Sequence, residues 1–198
     1  MRLCFFGDSF VNGTGDDSGL GWVGRIVAYG RSQGRDLTAY NLGVRRDTSE
    51  DIASRWGAEA QRRFVRDVER RLLFSFGAND CTPEGASCRV PLERAIAATS
   101  TVLRQAIALA PTIVVGPIPI LDDDETDRRI GELGLAQEKL CSELSIPFLP
   151  IERFIQTCEP WRAEARAGDG SHPNREGYVA LAQHLLSWRG MREWLGLP

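Results

Sequence analysis

Ser9 stands where an apolar run, Leu3-Cys4-Phe5-Phe6, stops at Gly7-Asp8. A short apolar run closed by a glycine reads as a buried strand. Open α/β sheets bind their ligands at the C-terminal ends of strands. A serine at such an end is a candidate nucleophile, provided the chain supplies a base, an orienting acid and oxyanion donors. A base and an acid occur together in Gly168-Asp169-Gly170-Ser171-His172-Pro173-Asn174. In a tight turn the Asp169 carboxylate reaches the imidazole N–H of His172, fixes its tautomer and stabilises the imidazolium. The other ring nitrogen is then free to take a proton from a serine. His184, the second histidine, falls inside the last predicted helix and reads as structural. Asn79, in Gly77-Ala78-Asn79-Asp80, follows another apolar run. Its amide can donate to a developing oxyanion, or it can form an Asx turn. A further source of donors is the stretch 43–49. There a strand end meets a helix start that Asp47, Thr48 or Ser49 can cap, and free N–H groups point outward.

The elements that must position these residues alternate along the chain. Strands are expected over residues 3–6, 37–42, 71–76, 112–115 and 147–149. Between them the periodicity predicts helices over 22–32, from about 47 to 65, over 91–110 and from about 128 to 144, with a last one opened by Pro173. Their apolar stripes are Val23, Ile26 and Val27, then Leu92, Ile96, Leu103 and Ile107. In the last helix the stripe is Tyr178, Leu181, Ala182, Leu185 and Leu186. Residues 81–90 read as a loop. The acidic run Asp122-Asp123-Asp124-Glu125-Thr126-Asp127 reads as a solvated loop that can also border the site as a flap. Alternation without repeats or a linker predicts a doubly wound, five-stranded parallel sheet in one domain over residues 1–198.

Composition narrows the classes of function. A chain of 198 residues with 42% hydrophobic and 26% charged residues suits a globular domain with a substantial core. A net charge of -3 gives no reason to expect nucleic acid or an anionic membrane as a partner. Lys139 is the only lysine, so nearly all positive charge is arginine. No apolar run approaches the length of a membrane span. Met1-Arg2 leads directly into the first strand without a leader pattern, so a cytoplasmic location is expected. The five cysteines are scattered and the histidines lack ligand spacing to them, so neither zinc nor a disulfide between Cys81 and Cys88 is expected. Gly19-Leu20-Gly21-Trp22-Val23-Gly24 matches G-x-G-x-x-G. A polar loop separates it from the strand, which argues against dinucleotide binding, and no cofactor is expected.

Gly7-Asp8-Ser9, Gly77-Ala78-Asn79-Asp80 and Asp169-Gly170-Ser171-His172-Pro173, in this order at successive strand ends, resemble the GDSL or SGNH hydrolase family. The resemblance covers nearly the whole chain. It implies a flavodoxin-like, three-layer α/β/α sandwich. It also implies Ser9 as nucleophile, His172 as general base, Asp169 as its orienting partner, and Asn79 with the Ser9 N–H as oxyanion donors. The family usually carries a glycine before an Asp-Thr pair after the second strand, and that N–H is the third donor. Here the pair is Asp47-Thr48 and the preceding residue is Arg46. A backbone N–H needs no glycine, yet a positive φ there would strain an arginine. Gly43 is the fallback donor. Phe10 replaces the leucine common after the serine.

The expected reaction is hydrolysis of a small acyl ester, short-chain or acetyl, through an acyl-enzyme on Ser9, without metal or cofactor. A thioesterase, a lysophospholipase or an acyltransferase would use the same residues. A non-catalytic flavodoxin-like binding module is the alternative from another class. It predicts that Ser9 and His172 lie out of hydrogen-bond reach.

Overall fold

The run that ends in Ser9 becomes β1 (Arg2–Gly7), and its alternating side chains serve two cores. Leu3 and Phe5 point into one and Cys4 and Phe6 into the other, all fully buried. A strand covered on both faces belongs inside a parallel sheet. The computed structural model describes residues 1–197, so Pro198, the last position of the expected domain, lies outside the described residues. Its other strands are β2 (Thr38–Gly43), β3 (Arg70–Ser75), β4 (Pro83–Glu84), β5 (Ser87–Cys88), β6 (Thr112–Val115) and β7 (Phe148–Leu149). Five of them form one parallel sheet in the order β2-β1-β3-β6-β7. β4 and β5 pair as a small antiparallel hairpin within the expected 81–90 loop.

The helices are α1 (Ser9–Asn12), α2 (Gly21–Ser32), α3 (Ser49–Arg63), α4 (Ala78–Cys81), α5 (Leu92–Leu109), α6 (Asp124–Glu143), α7 (Glu152–Thr157), α8 (Glu159–Ala167), α9 (Arg175–Ser187) and α10 (Arg189–Leu195). α2 and α8 to α10 cover one face of the sheet, and α3 and α5 cover the other. The architecture is the expected three-layer α/β/α sandwich. Each site-bearing segment leaves the sheet at the C-terminal end of a strand, or lies beside those ends.

Four local expectations are corrected. The acidic run is a loop only at Asp122 and Asp123: Asp123 caps Glu125 N at 3.1 Å, and α6 begins at Asp124. Acidic residues in a first turn complement the helix dipole, while Asp122 lies against Gly170, so the start of the run does border the histidine turn. The last helix opens at Arg175 under an Asn174 cap rather than at Pro173. α5 buries Ala95, Thr99, Val102, Leu103 and Ala106, while Leu92 and Ile107 are more than 40% exposed. Of the expected stripe Leu103 is fully buried and Ile96 partly so, and Ala95, Thr99, Val102 and Ala106 complete the packing face. Finally, α7 and α8 occupy a stretch with no expected element. Each buries only one or two side chains, Ile155 in α7 and Trp161 with Ala165 in α8.

Candidate active site

β1 ends in a turn that only a glycine can start. A Cβ on Gly7 would lie 2.1 Å from the Ser75 carbonyl and 2.3 Å from Val11 Cγ2. Asp8 then caps α1, accepting from Phe10 N at 3.0 Å, and Ser9 is the first residue of that helix. α1 packs tightly on the end of β2: a Cβ on Gly43 would sit 2.2 Å from Asn12 N. Burial pushes the Asp8 carboxyl up to about 7, and the nearby charges of Asp80 and Asp47 add to the shift. Asp8 is therefore a buried turn-former beside Ser9.

The imidazole of His172 reaches this turn across a separation of 163 residues, with Nε2 2.7 Å from Ser9 Oγ. Its Nδ1 lies 2.7 Å from Asp169 Oδ2. A carboxylate only accepts, so the ring proton sits on Nδ1 and Nε2 is left to accept from the serine hydroxyl. Burial works against ionisation of Asp169, but the backbone N–H and ring of His172 and the N–H of Ser171 outweigh it and hold the carboxyl at about 2. The ring is held from behind by Phe10, whose centroid is 4.8 Å from that of His172 and 5.9 Å from that of Trp161. The phenylalanine that replaces leucine thus supports the imidazole. The separation demanded by a non-catalytic module is not found.

Asn79 is the second residue of α4, just past β3, and its Nδ2 donates to the Asp47 carbonyl at 3.0 Å. An amide nitrogen carries two hydrogens, so this bond orients the group and leaves the second free. Arg46 is exposed and adopts φ +70°, the strained case expected where the family has glycine. The N–H groups of Ser9 and Arg46 have no acceptor among the described residues. The Gly43 N–H is already bonded to Asn41 Oδ1 at 3.0 Å, so the fallback donor is engaged elsewhere.

Sequence reasoning missed the residues that tie these turns together. Arg55, on α3, donates to the carbonyls of Gly7 at 3.2 Å and Leu42 at 2.8 Å and to Asp47 Oδ2 at 2.6 Å. One guanidinium thus joins the ends of β1 and β2 to the Arg46 turn. Asp80, fully buried, accepts from the Ser49 N–H at 2.9 Å and from its hydroxyl, and burial pushes its carboxyl up to about 6. Only the Asp80 position had a signal in sequence, as the last residue of the Gly-Ala-Asn-Asp motif. The contacts of Arg55 join segments remote from one another in sequence and leave no local pattern.

Other expected features fall outside the site. His184 stacks on Phe154 with centroids 4.0 Å apart, and burial lowers its pKa. Asp16 accepts from Gly21 N at 2.8 Å and pairs with Arg25, so the start of the glycine-rich helix α2 is capped from within the chain. Cys81 and Cys88 are free thiols, and among the described residues no cluster of ligands could hold a metal. No helix among them is long and apolar enough to cross a membrane. A cavity of about 400 Å³, lined by Arg71, Pro111, Thr112 and Pro147, lies at the opposite edge of the sheet, where strands begin. A cavity of about 360 Å³ adjoins the histidine turn and is lined by Gly15, Glu164, Asp169, His172 and Asn174.

Among proteins of curated function none matches this sequence. Solved structures do. The acetylxylan esterase Axe2 from Geobacillus stearothermophilus superposes with a TM-score of 0.77 at 20% identity, over 100% of this chain and 94% of its own. LAE5, an α/β hydrolase from the metagenome of Lake Arreo in Spain, does so with a TM-score of 0.76 at 20% identity, over 98% and 94%. At such identity the likeness is one of fold. The description of the GDSL-like lipase/acylhydrolase family matches residues 5–180, a span that includes all three motifs. The chain belongs to the GDSL-like lipase/acylhydrolase family, and with it to the hydrolases of ester bonds.

Proposed function

We propose that the protein is a serine esterase that cleaves short-chain or acetyl esters through an acyl-enzyme on Ser9. The reading rests on one observation above all: Ser9 Oγ, His172 and Asp169 form a continuous chain of 2.7 Å contacts. Ser9 Oγ attacks the acyl carbon as its proton passes to His172 Nε2. The charge that develops on the carbonyl oxygen is met by the N–H groups of Ser9 and Arg46 and by the free hydrogen of Asn79. His172 returns the proton to the leaving alkoxide as the C–O bond breaks. Water, activated by the same imidazole, then attacks the acyl-serine, and the acid leaves with Ser9 regenerated. The acidic partner matters because it keeps Nδ1 protonated and offsets the charge of the imidazolium. Likeness in fold to an acetylxylan esterase supports acetylated carbohydrate as the natural class of substrate. The test is turnover of p-nitrophenyl esters of rising chain length. We expect a burst of nitrophenol equal to the enzyme concentration and kcat/KM values that fall from acetate to octanoate. Absence of any turnover by folded protein would refute the reading, and a preference for octanoate would refute its substrate class.

A further inference from the structure

In the acyl-enzyme reading His172 hands its proton to the leaving alkoxide, so the alcohol half of the ester must come to the histidine turn. A cavity of about 250 Å³ adjoins that turn at Gly170. Its other walls are Leu121 and Asp122, from the loop after β6, and Arg162, Ala165 and Arg166, from α8. Both walls are fixed. Asp127 of α6 accepts from the N–H groups of Ile120 at 2.8 Å and Leu121 at 2.9 Å. α8 is anchored by the buried Trp161 and Ala165, and the Gly170 N–H donates to the Ala165 carbonyl at 2.9 Å. Asp122 rests so closely on Gly170 that a Cβ there would come within 3.1 Å of its whole carboxyl group. The space is therefore preformed.

Three charged side chains line this space without satisfying one another. Arg162 and Arg166 stand one turn apart on α8, and neither pairs with Asp122. Arg162 has one acidic neighbour, the well-exposed Glu159, at 3.6 Å. Asp122 and Arg166 have no hydrogen-bond or ion-pair partner among the described residues. The cavity thus offers donors in the fork geometry that fits a carboxylate, and one acceptor that fits a hydroxyl. Two guanidiniums against one carboxylate leave a net charge of +1, which a monoanion balances. A fatty chain would find little apolar lining beyond Leu121 and Ala165. We propose that this cavity is a subsite for a uronate, a sugar residue carrying a carboxylate, in the alcohol half of an acetylated oligosaccharide. Arg162 and Arg166 bind its carboxylate, and Asp122 accepts from one of its hydroxyls. The inference rests on the acyl-enzyme reading and the carbohydrate substrate above.

The test compares two acetylated xylo-oligosaccharides. One carries a glucuronate residue, and in the other that carboxyl is reduced to the alcohol. Acetate release gives kcat/KM for each, at low ionic strength so that exposed charges are not screened. The parent should prefer the acid by about tenfold or more, through KM, the size expected of charge-assisted hydrogen bonds to one carboxylate. In Arg162→Gln/Arg166→Gln the preference should fall to within about twofold, because a neutral amide makes no such bond. The readout is a ratio of two substrates on one protein, so general damage to the site cancels, and circular dichroism checks the fold. A parent without the preference, or a preference that survives in the double variant, overturns the inference. Labelling with a fluorophosphonate separates it from the reading beneath. A folded parent whose Ser9 does not label overturns both. A labelled parent that releases acetate equally from the two oligosaccharides overturns this inference alone. One that releases none from either overturns it together with the carbohydrate substrate.

Discussion

Two turns of the same kind, both leading from a parallel strand into a helix, are built by opposite means. The turn after β1 is buried and its geometry is enforced locally. Gly7 allows the backbone to touch the Ser75 carbonyl, Asp8 caps the helix, and Ser9 is 7% exposed. The turn after β2 is exposed at its tip and carries an arginine at φ +70°. Its conformation is held from a distance, by Asn79, Arg55 and Arg89. The proposed nucleophile can be positioned by its neighbours in sequence because one side chain must be aimed. The proposed oxyanion donor at Arg46 is a backbone N–H, which any residue supplies, so its turn can be held by residues far away in sequence.

Substitutions that remove a chemical group rank highest in testing this contrast. Ser9→Ala should lower kcat by on the order of 10⁴-fold or more with the fold unchanged. Asn79→Ala deletes the proposed oxyanion donor together with a brace of the distant turn, and should cost on the order of 10²–10³ in kcat. Steady-state kinetics on both proteins checks these values.

Backbone substitutions should then split the two turns by sign. Gly7→Ala forces a Cβ against a carbonyl that cannot move away cheaply, and should destabilise by about 1–3 kcal/mol or more. Arg46→Gly relieves a strained φ, and should stabilise by up to about 1 kcal/mol after the entropy of glycine is counted. Urea unfolding of each variant decides the matter, and equal signs would break the comparison.

The smallest effect concerns the buried carboxyl of the local turn. The folded pKa of Asp8, about 7, lies above its ordinary value of 3.8, so the native state binds the proton more tightly than the unfolded chain. Stability from this group is complete below about pH 4 and is lost as pH rises through about 7. Asp80 titrates with the same sign at about 6. Asp8→Asn keeps a capping oxygen and removes one titration, so its melting temperature should fall less between pH 4 and 8 than that of the parent.

The same contrast explains what the sequence disclosed. The local turn was legible, since Gly7-Asp8-Ser9 encodes its own geometry, and the Asp169–His172 turn was legible for the same reason. Both contain their partners within a few residues. The order of strands and helices was legible because parallel strands buried on both faces are continuous apolar runs. Arg46 stood out only as a departure from a family pattern, and its tethers stayed hidden because Arg55 and Arg89 act across gaps that periodicity does not record. The face of α5 was half legible: Leu103 and Ile96 pack as expected, but Ala95, Thr99 and Ala106 take the places expected of Leu92 and Ile107. α7 and α8 went unseen because so few of their residues are apolar, although Trp161 underlies Phe10 and, through it, His172.

Everything proposed for this site depends on Ser9 being activated by His172 as a nucleophile. Its most direct test is the mass of the intact protein after a fluorophosphonate, with the modified peptide mapped, for the parent and for Ser9→Ala and His172→Ala. One adduct is expected, on Ser9, formed rapidly in the parent, absent in Ser9→Ala and strongly slowed in His172→Ala. A folded parent without an adduct, or one whose adduct survives in Ser9→Ala, would contradict it.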